Sequence, residues 1–210
     1  MQKRKTHYPE RSVRYNTAMP KKPIAYSLFD TALGCCGIAW SEGASTPPAV
    51  TFLQLPEATA KLTEARIART SGARKSSAPP PPIAEVIEKV RKHLQGELQD
   101  FRWVAVDLDG VGHFAQQVYE ATREIPAGET RTYGELAKTF QPRPAARAVG
   151  QALGRNPIPL IIPCHRVLAA GGKLRGFSAF GGVATKARLL EIEGAPLGSP
   201  PGSPPLILLW

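Results

Sequence analysis

The sequence lacks a long hydrophobic run. None of its 210 residues lies in an apolar stretch of about 18 or more residues, the length that a membrane-spanning helix needs. Residues 1–16 are basic, but no apolar segment follows them, so we expect no secretory signal. We therefore predict no membrane partner and a cytoplasmic location, including association with a nucleoid, or a nuclear one in a eukaryote.

Cysteine is also scarce. The three cysteines are Cys35, Cys36 and Cys164, and an odd number with an adjacent pair is a poor basis for a disulfide framework. Free thiols indicate a reducing, intracellular compartment. A zinc site is the other common use of cysteine, but the four histidines are scattered and the usual ligand spacing is missing. We predict no metal site and no cofactor.

Acidic residues are few relative to basic ones. The chain has 17 Asp and Glu against 27 Lys and Arg, a formal net charge of +10. Residues 17–110 are nearly balanced, with 11 basic and 10 acidic side chains, whereas residues 111–210 carry 11 basic and 6 acidic. This asymmetry indicates a polyanionic partner, most often nucleic acid, although solubility alone is the plainer explanation.

The first half of the chain predicts a small α/β domain, residues 20–110, after a disordered basic extension at 1–19. Aromatic and β-branched runs flanking a turn are typical of strands, and apolar residues at helical spacing are typical of amphipathic helices. The predicted elements are a β-hairpin over 24–43, strands at 49–55 and 103–110, and helices at 57–72 and 83–97.

The second half, residues 111–194, predicts a mainly α domain, followed by a disordered Pro/Gly-rich tail at 195–210. Two short helices separated by a tight turn indicate a helix-turn-helix, and Thr132 with Glu135 fits a capping box at its start. The predicted elements are helices at 112–126, 132–140, 145–156 and 182–194, and a short strand at 157–162.

A thiol lies beside an imidazole just after that short strand, at Cys164 and His165. A cysteine thiolate is the nucleophile, and a neighbouring base raises its fraction at neutral pH. Consecutive side chains of a strand point to opposite faces, so the pair must occupy a turn or be bridged by water. Taken singly, Cys164 fits a small buried hydrophobe, His165 a satisfied core histidine and Arg166 a solvated charge.

Four motifs around this pair resemble those of the O6-alkylguanine-DNA alkyltransferases, or methylated-DNA–protein-cysteine methyltransferases. They are IPAGETRTYGELA (125–137), AARAVGQALGRNP (145–157), IPCHRV (162–167) and LLEIEG (189–194), in the family's order and spacing. The resemblance is specific over residues 112–194, and FDTALGCCGIAW (29–40) is similar to the less distinctive N-terminal domain.

The resemblance implies repair of O6-alkylguanine, and O4-alkylthymine as a further substrate, by irreversible transfer of the alkyl group to Cys164. His165 would deprotonate the thiol through a water, and Glu193 would orient His165. The Tyr133 hydroxyl would assist the departure of guanine as the leaving group, and Asn156 would bridge the helix-turn-helix to the active-site segment.

The resemblance also implies contacts with a flipped nucleotide in double-stranded DNA, made by a monomer. Ser178 would touch the base at O6 and Phe177 would pack on it. The loop departs from the family at Phe177, where many relatives carry tyrosine, and at Ala179 and Phe180, where many carry two glycines; these departures affect the pocket size. Arg147 would enter the duplex in place of the flipped base. The remaining implied DNA contacts are Thr132, Tyr133, Ala145, Ala146 and Ala148.

Two other functions are compatible with parts of the pattern. A helix-turn-helix module could bind alkylated DNA or regulate transcription without reacting, but Cys164, His165 and Glu193 would then be unexplained. A Cys–His hydrolase would need an oxyanion hole, for which no sequence feature is present, and the basic helix-turn-helix would be unexplained.

Overall fold

A computed structural model describes residues 24–42, 47–142 and 144–196. The predicted extension at 1–19 and almost all of the predicted tail lie outside these residues. Ala195, the first residue assigned to the tail, is buried against Leu168 and Leu190, and its amide donates to the Leu190 carbonyl at 2.9 Å.

The first half forms a four-stranded sheet of order β3-β2-β1-β4. The predicted hairpin is confirmed, with β1 antiparallel to β2 and β2 antiparallel to β3, while the short β4 runs parallel to β1. Thr31 fixes the hairpin turn, since its hydroxyl accepts from the Leu33 amide and donates to the Gly34 carbonyl. The strands are β1 (Ile24–Thr31), β2 (Gly34–Ser41), β3 (Ala49–Gln54) and β4 (Arg74–Lys75).

Two helices cover opposite faces of this sheet. Helix α1 (Ala60–Ser71) packs Ile67 against Tyr26 and Ala39, while α2 (Pro81–Leu94) joins the main core on the other face. The apolar face predicted for α2 is confirmed, because Ile83, Val86, Ile87, Val90 and Leu94 are all buried. For α1 the sequence predicts an apolar stripe of Leu62, Ala65, Ile67 and Ala68. It is wrong at Leu62 and Ala65, which are exposed, whereas Ile67 is buried.

The strand predicted at 103–110 is wrong. Val106 makes a single β-bridge to Val50, and the rest of the segment is irregular. The guanidinium of Arg123 explains part of the difference, because its Nη2 donates to the carbonyls of Phe101, Arg102 and Val104 at 2.8–3.0 Å. One guanidinium nitrogen gathers three carbonyls of this segment around itself, whereas in a strand successive carbonyls point to alternate sides.

The second half is mainly helical, as predicted. Its helices are α3 (His113–Arg123), α4 (Tyr133–Ala137), α5 (Ala146–Leu153) and α6 (Val183–Ile192). Two short parallel strands, β5 (Arg131–Thr132) and β6 (Val167–Leu168), join the start of α4 to the segment after Cys164. The capping box is confirmed: the Glu135 amide donates to Thr132 Oγ1 at 3.1 Å, and the Thr132 amide donates to Glu135 Oε2 at 2.6 Å.

Two details of this half differ from the sequence prediction. Residues 157–162 form a series of turns rather than a strand. For α6 the sequence predicts Val183, Ala187, Leu190 and Ile192 on the inward face. Leu190 is buried as predicted, but Val183 is exposed, and Lys186 and Leu189 are buried as well. The buried ammonium group of Lys186 donates to the carbonyls of Val167 and Arg175, which compensates for its removal from water.

One hydrophobic core joins the two halves. It contains Phe29, Ile38 and Trp40 from the sheet together with Val118 of α3 and Ile162 near Cys164. The boundary between 110 and 111 therefore stays a prediction from the sequence. Within the residues that the structure describes, no helix is long and apolar enough to cross a membrane.

Gly37 allows α1 to approach the sheet closely. A methyl group at Gly37 would lie 2.8 Å from Ile67 Cδ1 and 3.2 Å from its Cγ2. We expect Gly37→Ala to lower the free energy of unfolding by about 1–3 kcal/mol through overpacking. In an Ile67→Val background, which removes Cδ1, the same substitution should cost less. Urea unfolding would measure both values.

Gly134→Ala is the matched control, because its new methyl group would have as its nearest neighbour Thr132 Oγ1 at 3.9 Å. It should leave stability unchanged or raise it slightly, since alanine favours helix over glycine. An equal cost of Gly37→Ala in the wild-type and Ile67→Val backgrounds would contradict the steric explanation.

Candidate active site

Cys164 lies at a cleft of about 300 Å³ between α4 and α5, the two helices of the predicted helix-turn-helix, and the loop that precedes α6. The residue is 7% exposed, so its thiol is accessible only through this cleft. The cleft brings together four residues predicted from the sequence, Cys164, Tyr133, Phe177 and Ser178. Its lining is Tyr133, Gly150, Leu153, Gly154, Cys164, Gly176, Phe177 and Ser178.

The side chain of Asn156 shapes the turns that lead to Cys164. Its Nδ2 donates to the Ile162 carbonyl at 2.7 Å, and its Oδ1 accepts from the Ile158 amide at 3.0 Å. Leu160 in the middle has φ 72°, a left-handed conformation that is unusual for a residue with a branched side chain. These bonds close the segment into turns and explain why the strand predicted at 157–162 does not form.

Cys164 itself begins a single 3₁₀ turn, Cys164–Arg166. Its amide donates to the Ile162 carbonyl at 2.8 Å, and the Arg166 amide donates to the Pro163 carbonyl at 2.9 Å. The expectation that the Cys–His pair leaves the strand geometry is confirmed. Burial raises the pKa of the Cys164 thiol, opposed by hydrogen bonding from Asn156 and by the charge of Lys186. The thiol therefore needs a base before it can react as a thiolate.

His165 is fully buried, and its two ring nitrogens have different surroundings. Nε2 lies 2.9 Å from Glu193 Oε1, and a carboxylate only accepts, so Nε2 carries the proton. Nδ1 has no hydrogen-bond partner among the residues that the structure describes. Burial lowers the pKa of His165, although Glu193 opposes this shift. A neutral ring with a free Nδ1 lone pair is suited to accept a proton.

Glu193 follows directly on α6 and is buried with three partners. Arg166 donates from Nε to Oε2 at 2.9 Å and from Nη2 to Oε1 at 2.7 Å. His93, from the end of α2, places Nε2 2.9 Å from the same Oε1. Burial alone would raise the pKa of Glu193, but hydrogen bonds from His165, His93 and Arg166 hold it well below its usual range. The carboxylate is therefore ionised at neutral pH.

Three residues of this site were missed by the sequence analysis. Arg166 is a buried ion-pair partner rather than a solvated charge, and its Nη1 also donates to the Ile125 carbonyl. Lys186 is buried beside Tyr133, with Nζ 2.6 Å from the Val167 carbonyl, and burial lowers its pKa to about 8. His93 lies on the inward face of α2, three residues after buried Val90, and that spacing was the available signal.

The residues predicted to contact DNA lie mostly outside the cleft. Ala145, Ala146 and Arg147 are exposed at the start of α5, and Ala148 is half-buried. The Thr132 hydroxyl is engaged as the N-cap of α4. The surface around the helix-turn-helix is basic, with exposed Arg131, Lys138, Arg147 and Arg155.

Comparisons with known proteins agree with the motifs. The family described as 6-O-methylguanine DNA methyltransferase, DNA binding domain, matches residues 113–195. The methylated-DNA–protein-cysteine methyltransferase of Mycobacterium leprae is 47% identical over 112 residues, 53% of this chain and 65% of that protein. The one of Methanosarcina acetivorans is 45% identical over 111 residues, 53% of this chain and 69% of that protein.

A solved structure extends the likeness to the first half of the chain. The crystal structure of Mycobacterium tuberculosis OGT in complex with DNA superposes with a TM-score of 0.63 at 37% identity. The superposition covers 80% of this chain and 92% of that one.

The buried Glu193 carboxylate predicts a pH-dependent contribution to stability. Because its folded pKa is below its unfolded value of about 4.3, its stabilisation is present above that pH and is lost as the pH falls through the folded pKa. Glu193→Gln should cost about 3–5 kcal/mol at neutral pH by leaving Arg166 buried without its counter-charge. In urea unfolding, the difference in free energy of unfolding between wild type and Glu193→Gln should become smaller below about pH 4.

Glu191→Gln is the control for that experiment. Glu191 is two residues away and forms an exposed ion pair with Arg188 at 2.6 Å. Exposed pairs contribute about 0–1 kcal/mol, so this variant should unfold almost as the wild type does at either pH. A Glu193→Gln deficit that stayed constant from neutral pH to about pH 3 would contradict the assignment of the charge.

Proposed function

Because the chain belongs to the family of methylated-DNA–protein-cysteine methyltransferases, we propose that it repairs DNA by moving the alkyl group of O6-alkylguanine onto its own Cys164. The observation that carries this proposal is the position of the Cys164 thiol at a cleft, with the buried His165–Glu193 pair next to it in the fold. O4-alkylthymine is a second candidate substrate on the same chemistry.

The first step is removal of the thiol proton. His165 accepts it at Nδ1 through a bridging water, and Glu193 stabilises the resulting imidazolium at Nε2, 2.9 Å away. The raised pKa of the buried thiol makes such a base necessary. Asn156 keeps the turn in shape and, by hydrogen bonding, favours the thiolate.

The second step is displacement at the alkyl carbon. The Cys164 sulfur forms a bond to that carbon while the bond from carbon to O6 breaks, and the guanine leaves with the bonding electron pair. The Tyr133 hydroxyl supplies a proton to the departing base. His165 then releases its proton to solvent, and Tyr133 takes one up from solvent, so that both side chains return to their starting forms. Burial raises the pKa of Tyr133, which keeps its hydroxyl protonated at neutral pH. The thioether has no route back to a thiol, so each molecule reacts once.

Binding of the base is assigned to the loop side of the cleft. Ser178 contacts O6, and the Phe177 ring packs on the base. An exposed serine and a half-buried aromatic ring suit a flat, polar-edged ligand. No cofactor or metal is required by this chemistry.

DNA binding is assigned to the helix-turn-helix in the minor groove. Ala145, Ala146 and Ala148 are small enough to allow close approach, and Thr132 and Tyr133 contact the backbone beside the lesion. Extrusion of the nucleotide costs a few kcal/mol. Arg147 fills the space in the base stack that the nucleotide leaves. Basic residues nearby supply affinity that is independent of sequence, as a repair protein needs.

The remaining assignments are also proposals. The protein acts as a monomer, without a membrane partner, in the cytoplasm, on the nucleoid, or in the nucleus of a eukaryote. Its functional parts are an N-terminal domain over 20–110 and a DNA-binding and active-site domain over 111–194, flanked by the segments 1–19 and 195–210.

Alkyl transfer is tested by mass spectrometry after incubation with a duplex that contains O6-methylguanine. We expect the mass of one methyl group to be added to the peptide that bears Cys164, and no addition in Cys164→Ser. Cys36→Ser, which changes a buried thiol in β2, is the control and should still be methylated. Binding of the damaged duplex without any mass change would instead favour a non-reacting recognition module.

The role of Arg147 is tested by separating duplex repair from thiol reactivity. Arg147→Ala should slow methyl transfer from duplex DNA by about 10-fold or more, because nothing then fills the vacated stack. The rate at which iodoacetamide labels Cys164 should not change, since Arg147 does not line the cleft. Arg69→Ala removes the same charge from the exposed side of α1 and should repair normally; a loss as large as that of Arg147→Ala would indicate a charge effect only.

A further inference from the structure

His93 belongs to the first half of the chain, yet it touches the carboxylate of the proposed proton relay. We infer that His93 is a positioning residue for alkyl transfer: it holds Glu193 Oε1 and limits how strongly that oxygen stabilises the His165 imidazolium. This inference rests on the proposed function. The family match extends over residues 113–195. His93 lies outside that segment, so the match itself assigns it no role.

The contacts of His93 indicate which ring nitrogen donates to Glu193 and fix the orientation of the ring. The Gln99 amide donates to Nδ1 at 3.1 Å, so Nδ1 is an acceptor and the ring proton is on Nε2. Nε2 then donates to Glu193 Oε1 at 2.9 Å. The Phe101 ring meets the imidazole edge-on, with centroids 5.2 Å apart. A buried ring held on three sides cannot turn away from the carboxylate.

The two histidines share one carboxylate oxygen. Oε1 accepts from His93 Nε2, His165 Nε2 and Arg166 Nη2 at 2.9, 2.9 and 2.7 Å. Every additional donor withdraws negative charge from that oxygen and weakens its attraction for a protonated His165. Removing the His93 donor should therefore make His165 easier to protonate, and so a poorer base at mildly acidic pH.

The charged and titratable groups around His93 come from three elements. Glu193 follows α6, His165 and Arg166 belong to the 3₁₀ turn, and Asp100 lies in the loop after α2, close enough to Arg166 to interact electrostatically. Among these groups Glu193 is the one that accepts from His93, through the Nε2 proton, while Nδ1 accepts from the Gln99 amide.

Three variants separate the Glu193 contact from mere packing. His93→Leu removes both hydrogen bonds. His93→Asn keeps an acceptor near the position of Nδ1, for the Gln99 amide, but is too short to reach Glu193. His93→Gln places an amide donor near the position of Nε2 and should restore the contact with Glu193.

The measurement is the rate of Cys164 reaction from about pH 5 to about pH 8, the range in which histidines titrate. Single-turnover methyl transfer and iodoacetamide labelling are both followed on the Cys164 peptide, with urea unfolding to check that each variant is folded. In His93→Leu and His93→Asn we expect the acid limb to move to higher pH by roughly half a unit, which slows the reaction about 3-fold on that limb. His93→Gln should retain the wild-type midpoint.

Two results would overturn the inference about His93, and a different result would overturn the proposed function. Loss of rate at every pH with an unmoved midpoint in both His93→Leu and His93→Asn would mean that His93 only packs, and would overturn the inference. So would a shift in His93→Gln as large as that in His93→Leu. If the wild type itself transfers no methyl group, the proposed function fails, while iodoacetamide labelling still reports whether His93 acts on the thiol.

Discussion

A buried carboxylate, Glu193, is the group on which the arrangement of this protein depends. A charge that is removed from water must be compensated, and here an arginine and two histidines do so at 2.7–2.9 Å. Those partners come from α2 and from the 3₁₀ turn, so the carboxylate fixes the end of α6 against both. The same contacts leave His165 in the tautomer whose Nδ1 is free.

Burial acts on the thiol and on its base in opposite directions. It raises the pKa of Cys164 and lowers the pKa of His165, so both groups favour their neutral forms at rest. Such a site avoids a standing thiolate, which oxidation would consume. The ionised pair of thiolate and imidazolium then forms only during the reaction, when Glu193 stabilises the imidazolium, which suits the single reaction proposed for Cys164.

Local patterns in the sequence were enough for much of this fold. The hairpin, the apolar face of α2 and the capping box at Thr132 depend on neighbouring residues, and all three are confirmed. The two wrong strands have a common cause: a distant or flanking side chain, Arg123 or Asn156, takes the backbone groups that a strand would use. The contact of His93 with Glu193 spans 100 residues, which no local pattern can reveal.

Rigidity around Cys164 explains why the proposed reaction needs an extruded nucleotide. Residues 160–168 are all buried, and Leu160 is held in a left-handed conformation by the turns that Asn156 closes. The thiol of a residue that is only 7% exposed and is held in this way cannot move out to a base that is stacked inside a duplex. The base must therefore come to the thiol, and the free energy of extrusion has to come from contacts on the helix-turn-helix surface. Chemistry and DNA binding are in this way assigned to adjoining surfaces that share Tyr133, and the Asn156 turn connects the helix-turn-helix to Cys164.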